Sequence, residues 1–108
     1  MSHTLLNVKY SDIKSLKSVL AIYNNLESLA CAGNSDAIAI KLDIENMLGE
    51  GTSPLTTQKA EIMRLYYIQG YTQLEIARYL DITQEAVSYA INTALKNLVK
   101  YWVNKGEK

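Results

Sequence analysis

Apolar residues recur along the chain at spacings of three and four. From Ser11 the series Ile13, Leu16, Val19, Leu20, Ile22, Tyr23, Leu26, Leu29 and Ala30 marks one face of a helix of about twenty residues. Ser11 is a candidate N-cap, and Gly33 with Asn34 supplies a left-handed stop. Residues Ala37 to Leu48 follow, with Ser35 or Asp36 as the cap. The middle of this segment, Ile38 to Ile44, alternates apolar and polar as a strand would. Ile40, Ile44, Met47 and Leu48 nevertheless fall on one helical stripe, no partner strand lies nearby, and Gly49 closes the run, so a helix is predicted. Residues 49–54 form the only Gly/Pro/Ser-rich stretch and are read as a linker between residues 1–50, a helical hairpin for packing or oligomerisation, and residues 55–108.

Three helical segments with short joints are expected after the linker. Thr56 or Thr57 opens the first, which carries Ile62, Leu65, Tyr66 and Ile68 and ends at Gly70. Thr72 opens the second. Glu75 lies three residues on, so hydroxyl and carboxylate can each satisfy a free backbone N–H in a capping box. The third begins at Thr83 and meets no breaker before Asn104, a length of roughly 30 Å at ~1.5 Å per residue. The predicted fold class is all-α: an N-terminal helical hairpin plus a C-terminal trihelical unit with a long last helix.

The joint between the second and third segments carries the most information. Two helices that cross near a right angle touch closely at one point, and Ala77 is small enough to stand there. Leu80 and Ile82 flank the joint. Val87, Ala90 and Ile91 turn the inner face of the later helix onto the earlier one. Asp81 stands where the chain needs a left-handed residue, a conformation that Asp tolerates better than most. This is the pattern of a helix-turn-helix.

With those residues inward, Thr83, Gln84, Glu85, Ser88, Tyr89 and Asn92 are left on the outer face. All six types bond or pack on base edges. Gln84 and Asn92 match adenine, Ser88 several bases, and Glu85 the amino group of cytosine, while Tyr89 can pack on a thymine methyl or reach a phosphate. Thr72 and Gln73 stand at a helix start, where N–H groups favour anions, and are candidates for phosphate contact together with Arg78, Lys96 and Lys100. The expected ligand is double-stranded DNA, read by a helix in the major groove.

The stretch Gln69-Gly-Tyr-Thr-Gln-x-Glu-Ile-Ala-x-x-Leu-x-Ile-Thr-Gln-x-Ala-Val-Ser88, preceded by Leu55-Thr-x-Gln58, resembles region 4 of bacterial sigma factors, which reads promoter −35 elements. The wider stretch, roughly residues 36–102, is similar to small sigma-like regulators of phages, such as the ArpU-like family. The resemblance implies a transcriptional regulator of phage or prophage origin, with RNA polymerase as a possible partner. Two departures limit what it carries over. Asp81 replaces the usual glycine, and Gln84-Glu85-Ala86 stands where such modules often have Arg or Lys, so a typical set of −35 contacts does not transfer. Nothing in the chain resembles the sigma segments that melt DNA.

Charge neither drives nor forbids this reading. Eleven basic residues balance eleven acidic ones. The halves differ: residues 1–54 hold four Lys or Arg against six Asp or Glu, and residues 55–108 hold seven against five. Attraction to phosphate therefore belongs to the C-terminal half and is modest. A small interface of this kind calls for a homodimer or higher oligomer, or a further partner, for useful affinity. The stripe Leu16–Leu29 and the series Val87, Ile91, Leu95, Leu98, Trp102 offer surfaces for it.

Enzyme chemistry has little to stand on. The single cysteine, Cys31, excludes a disulfide within one chain and has no histidine to activate it. His3 lies in the lead-in segment. Asp43, Glu45 and Glu50 lack any other ligand type nearby and are read as surface charges. No glycine-rich phosphate loop is present, and no cofactor or metal is expected. Tyr66, Tyr67 and Tyr79 are expected in the core or at its rim, since the chain has no Phe, in preference to stacking on single strands. No secretory signal or apolar span of ~20 residues is visible, so a cytoplasmic setting is expected.

Two rivals stay open at this level. One is a small terminase-type DNA-packaging protein, which also uses a helix-turn-helix but generally places it ahead of its oligomerisation region. The other is a helix-turn-helix that binds RNA polymerase or a regulator without touching DNA.

Overall fold

Three short polar side chains (Asp12, Asn34 and Thr56) start the first three helices in the computed structural model, which describes residues 10–23, 25, 32–49, 51 and 53–105. The expectations for His3, Leu26, Leu29, Ala30, Cys31 and Glu50 lie outside the described residues. Helix α1 spans Ile13–Ala21, and the Asp12 carboxylate accepts from the Ser15 N–H at 3.0 Å. Asp12 thus replaces Ser11 as the expected cap. Helix α2 spans Ser35–Leu48 and is capped by Asn34, whose side chain accepts from the Ala37 N–H. Of the expected pair Gly33–Asn34, only Gly33 is left-handed, at φ 89°. Asn34 is extended and opens the next helix, displacing Ser35 and Asp36 from that role.

The ambiguous segment is helical. Ala37, Ile40, Ile44, Met47 and Leu48 are buried on one stripe of α2, whereas Ile38 and Leu42, which made the sequence look like a strand, face outward. Burial at the 3.6-residue period decides between the two readings.

Thr56 caps α3, Thr57–Met63, and Arg64–Ile68 continue it as a π-helical turn. A side chain from this turn reaches back: an Arg64 guanidinium N–H donates to the Leu48 carbonyl at the end of α2. Tyr66 and Tyr67 sit in the turn edge to face, centroids 4.8 Å apart, half-buried against the core. Burial pushes the Tyr67 hydroxyl up to about 12. Helix α4, Gln73–Leu80, and helix α5, Gln84–Asn104, complete the chain. Among the described residues there are five helices and no strand.

A single core joins the two ends of the sequence. α5 packs on α3, α4 and α1, and α2 packs on α3. Leu16, Val19 and Leu20 from α1, the buried stripe of α2, Ile62 and Met63 from α3, and Val87, Ile91, Leu95 and Leu98 from α5 belong to one buried cluster. Of the two apolar stripes expected to serve oligomerisation, the described members Leu16, Val19, Leu20 and Tyr23 and the series Val87, Ile91, Leu95 and Leu98 are thus buried within the chain. Trp102 stacks tilted on Tyr10 at 4.7 Å, and its indole N–H points at the Met47 sulfur at 3.1 Å. Two tyrosines flanking α1 tie it to α2: the Tyr10 hydroxyl donates to Asp43, and the Tyr23 hydroxyl donates to Glu45 at 2.6 Å. Hydrogen bonds from Lys41 and Tyr23 hold the Glu45 carboxyl below its ordinary range. No helix is long and apolar enough to cross a membrane among the described residues.

Candidate nucleic-acid interface

The corner between α4 and α5 is built by four local devices. Thr72 and Glu75 form the expected capping box: the Thr72 hydroxyl accepts from the Glu75 N–H at 3.1 Å, and the Thr72 N–H donates to the Glu75 carboxylate at 2.8 Å. Ile76 and Ala77 are the buried residues of α4. Asp81 adopts φ 58°, ψ 48°, and its N–H and that of Ile82 bond back to the last carbonyls of α4. Thr83 then caps α5, accepting from the Ala86 N–H at 3.0 Å. Thr72–Ile91 is therefore two helices meeting at a left-handed residue, with Leu80 and Ile82 half-buried beneath the joint.

This corner aims the start of α5 outward. Val87, Ile91, Ala94, Leu95 and Leu98 face the core. Thr83, Gln84, Glu85, Tyr89 and Asn92 are exposed, Tyr89 to 72%, and Ser88 is half-buried. The N-terminal helices leave this face uncovered. Glu85, Tyr89, Asn92 and Lys96 follow one another at steps of four, three and four, so they share a strip about 60° wide at 100° per residue. The long helix thus presents polar groups over its first turns and cations, Lys96 and Lys100, further along. Both lysines and Arg78 are exposed.

The start of α4 is less free than its sequence suggests. The capping box satisfies the Thr72 and Glu75 amides and brings a carboxylate to that end. The amides of Gln73 and Leu74 remain without a partner among the described residues, and they are the backbone donors that the start of α4 can offer a phosphate. Gln73 itself is half-buried.

One concave surface was not foreseen. A groove of about 440 Å³ runs between the π-helical turn and α4, lined by Glu61, Arg64, Leu65, Ile68, Tyr71, Glu75 and Tyr79 among others. Tyr79 is 72% exposed, so of the three tyrosines weighed from the sequence it alone is neither core nor rim. Tyr71, also in the groove lining, is exposed as well. A groove between helices depends on how they pack, and no local pattern in the sequence announces it.

Taken together, a short capped helix, a three-residue joint opened by left-handed Asp81 and a long helix with a bare polar face define a helix-turn-helix module. Residues 53–100, a little under half of the chain, match the family Sigma-70, region 4, and this part of the protein is a sigma-70 region 4-like helix-turn-helix. That family is one of DNA-binding domains. No curated protein and no solved structure matches the chain.

Proposed function

We propose that the protein is a sequence-specific, double-stranded DNA-binding transcriptional regulator that seats the start of α5 in the major groove. Thr83, Gln84, Glu85, Ser88, Tyr89 and Asn92 face the bases, and Thr72, Gln73, Arg78, Lys96 and Lys100 meet the phosphates. The single observation that carries this reading is the exposure of the α5 polar strip beside a corner that fixes its direction. The region 4 match supports a role at promoters, with RNA polymerase as the protein partner, since such domains bind both. The wider likeness to small phage regulators favours a phage or prophage origin and a bacterial cytoplasm as its place of work. With so few cations on this face, one module binds weakly, and a second copy or a partner supplies the remaining affinity.

Salt dependence tests the reading. Each phosphate neutralised contributes about −0.9 to the slope of log K against log salt on duplex DNA. Three cations, Arg78, Lys96 and Lys100, give a slope of roughly −3 per module. Lys96→Ala reduces it by about 1 and weakens all duplexes equally. A flat salt response, or a loss confined to one sequence, contradicts these roles.

A second reading, docking to a protein without DNA contact, is favoured by the groove and its exposed Tyr71 and Tyr79. It requires that no duplex be retarded at low salt while a polymerase subunit co-purifies.

A further inference from the structure

The groove between the π-helical turn and α4 has a chemistry that DNA binding leaves unused. None of its lining residues is among those assigned to bases or phosphates. At about 440 Å³ it falls within the roughly 300–1,000 Å³ of sites that hold small organic molecules. Its apolar surface comes from Leu65, Ile68 and the buried Ile76. Each side adds one carboxylate, Glu61 from α3 and Glu75 from α4. Glu61 is half-buried, and no hydrogen bond or ion pair reaches it among the described residues. Glu75 accepts from the Thr72 N–H with one oxygen, and its other oxygen has no partner among the described residues. The Tyr71 and Tyr79 rings are exposed, and neither meets another ring or a cation among the described residues. The one cation in the lining, Arg64, is held elsewhere, since its guanidinium donates to the Leu48 carbonyl at the end of α2.

An unpartnered carboxylate beside apolar surface favours a ligand that brings a positive charge. A neutral ligand would strip its water and return nothing. The faces of the tyrosine rings attract the same charge. A polyanion is repelled by both carboxylates. A metal ion lacks ligands, because no group of three metal-ligating side chains occurs among the described residues. We propose that this groove binds a lipophilic organic cation, an aromatic or alkyl body carrying one positive charge. The body lies on Leu65, Ile68 and Ile76, and the charge is met by Glu61, Glu75 and the two tyrosine rings. The site is independent of how α5 meets DNA, so either can fail alone.

A matched pair of ions separates charge from shape. Tetraphenylphosphonium and tetraphenylborate have nearly the same size and outline and opposite charge. In calorimetric titrations of the full chain, the phosphonium is expected to bind about ten-fold or more tightly than the borate. In ¹⁵N-labelled protein it shifts amides from Leu65 to Gln69 and from Glu75 to Tyr79, and leaves Gln84 to Asn92 still. Glu61→Gln keeps the shape and removes the charge, and Tyr79→Leu keeps apolar bulk and removes the ring. Each is expected to weaken the phosphonium about five-fold. Glu61→Gln also narrows the gap between the two ions. Phosphonium binding no tighter than about 1 mM, shifts that fall outside the groove, or affinity unmoved by both variants overturns the inference. Equal binding of the two ions overturns it too, and leaves a plain apolar face of the kind a protein partner covers. If Glu61→Gln loses its helical circular dichroism, the pair of ions on the parent chain decides alone.

Discussion

Leu98→Ala lowers the stability of the whole chain by about 2–5 kcal/mol, read as a shift of a single unfolding transition in urea. Leu98 is fully buried on α5, beyond the corner that α4 covers. α4 has eight residues and, at ~1.5 Å each, spans roughly 12 Å of a helix about 30 Å long. The far end of α5 must therefore be covered by the rest of the chain, and α1 and α3 pack on it. Removing three carbon atoms leaves a cavity that these helices fill only in part. The loss is a large share of the 5–15 kcal/mol typical of a whole domain. One transition, shifted for N-terminal and C-terminal probes alike, follows from the shared core. Two separate transitions, or a cost under about 0.5 kcal/mol, would mean that the N-terminal helices do not support the module.

Gln84→Ala and Asn92→Ala each weaken binding at the site the protein selects from a random pool of duplexes by about 1–3 kcal/mol, and leave random duplex almost unaffected. The amide side chains can donate and accept at once, which matches the N6/N7 edge of adenine and gives nothing comparable at a phosphate. The two residues lie eight apart, about 12 Å along α5, so their losses should add. Competition between the selected duplex and random duplex measures both. Equal losses on the two duplexes would reassign these side chains to the backbone. An unchanged site preference in the double variant would move the reading to another face.

The corner was legible in the sequence because each of its parts is local. Thr72 with Glu75, Asp81 and Thr83 act on neighbours within four residues, Ala77 marks the helix crossing by its small size alone, and each residue type has one main reason to stand there. The outward face of α5 followed by subtraction once Val87 and Ile91 were placed inward. What escaped was set by tertiary packing. Ser11 and Asp12, or Asn34, Ser35 and Asp36, are equally able caps, and the position where packing starts the helix chooses between them. Nothing between Thr57 and Gly70 announces a π-helical turn; the turn carries Arg64, whose side chain bonds the carbonyl of Leu48, on another helix. The stripes of α1 and α5 were recognised as apolar, but a stripe does not name its partner. Here each finds the other inside one chain. The groove beside Tyr79 is likewise a product of assembly.

Titration of the unlabelled selected duplex into ¹⁵N-labelled protein, followed by amide shifts, tests most directly whether α5 enters the groove. The account predicts the largest changes from Thr83 to Asn92, smaller ones at Gln73, Leu74, Lys96 and Lys100, and none along the buried stripes of α1 and α2. Changes confined to the groove around Tyr71 and Tyr79, with Gln84 to Asn92 unmoved, would contradict it.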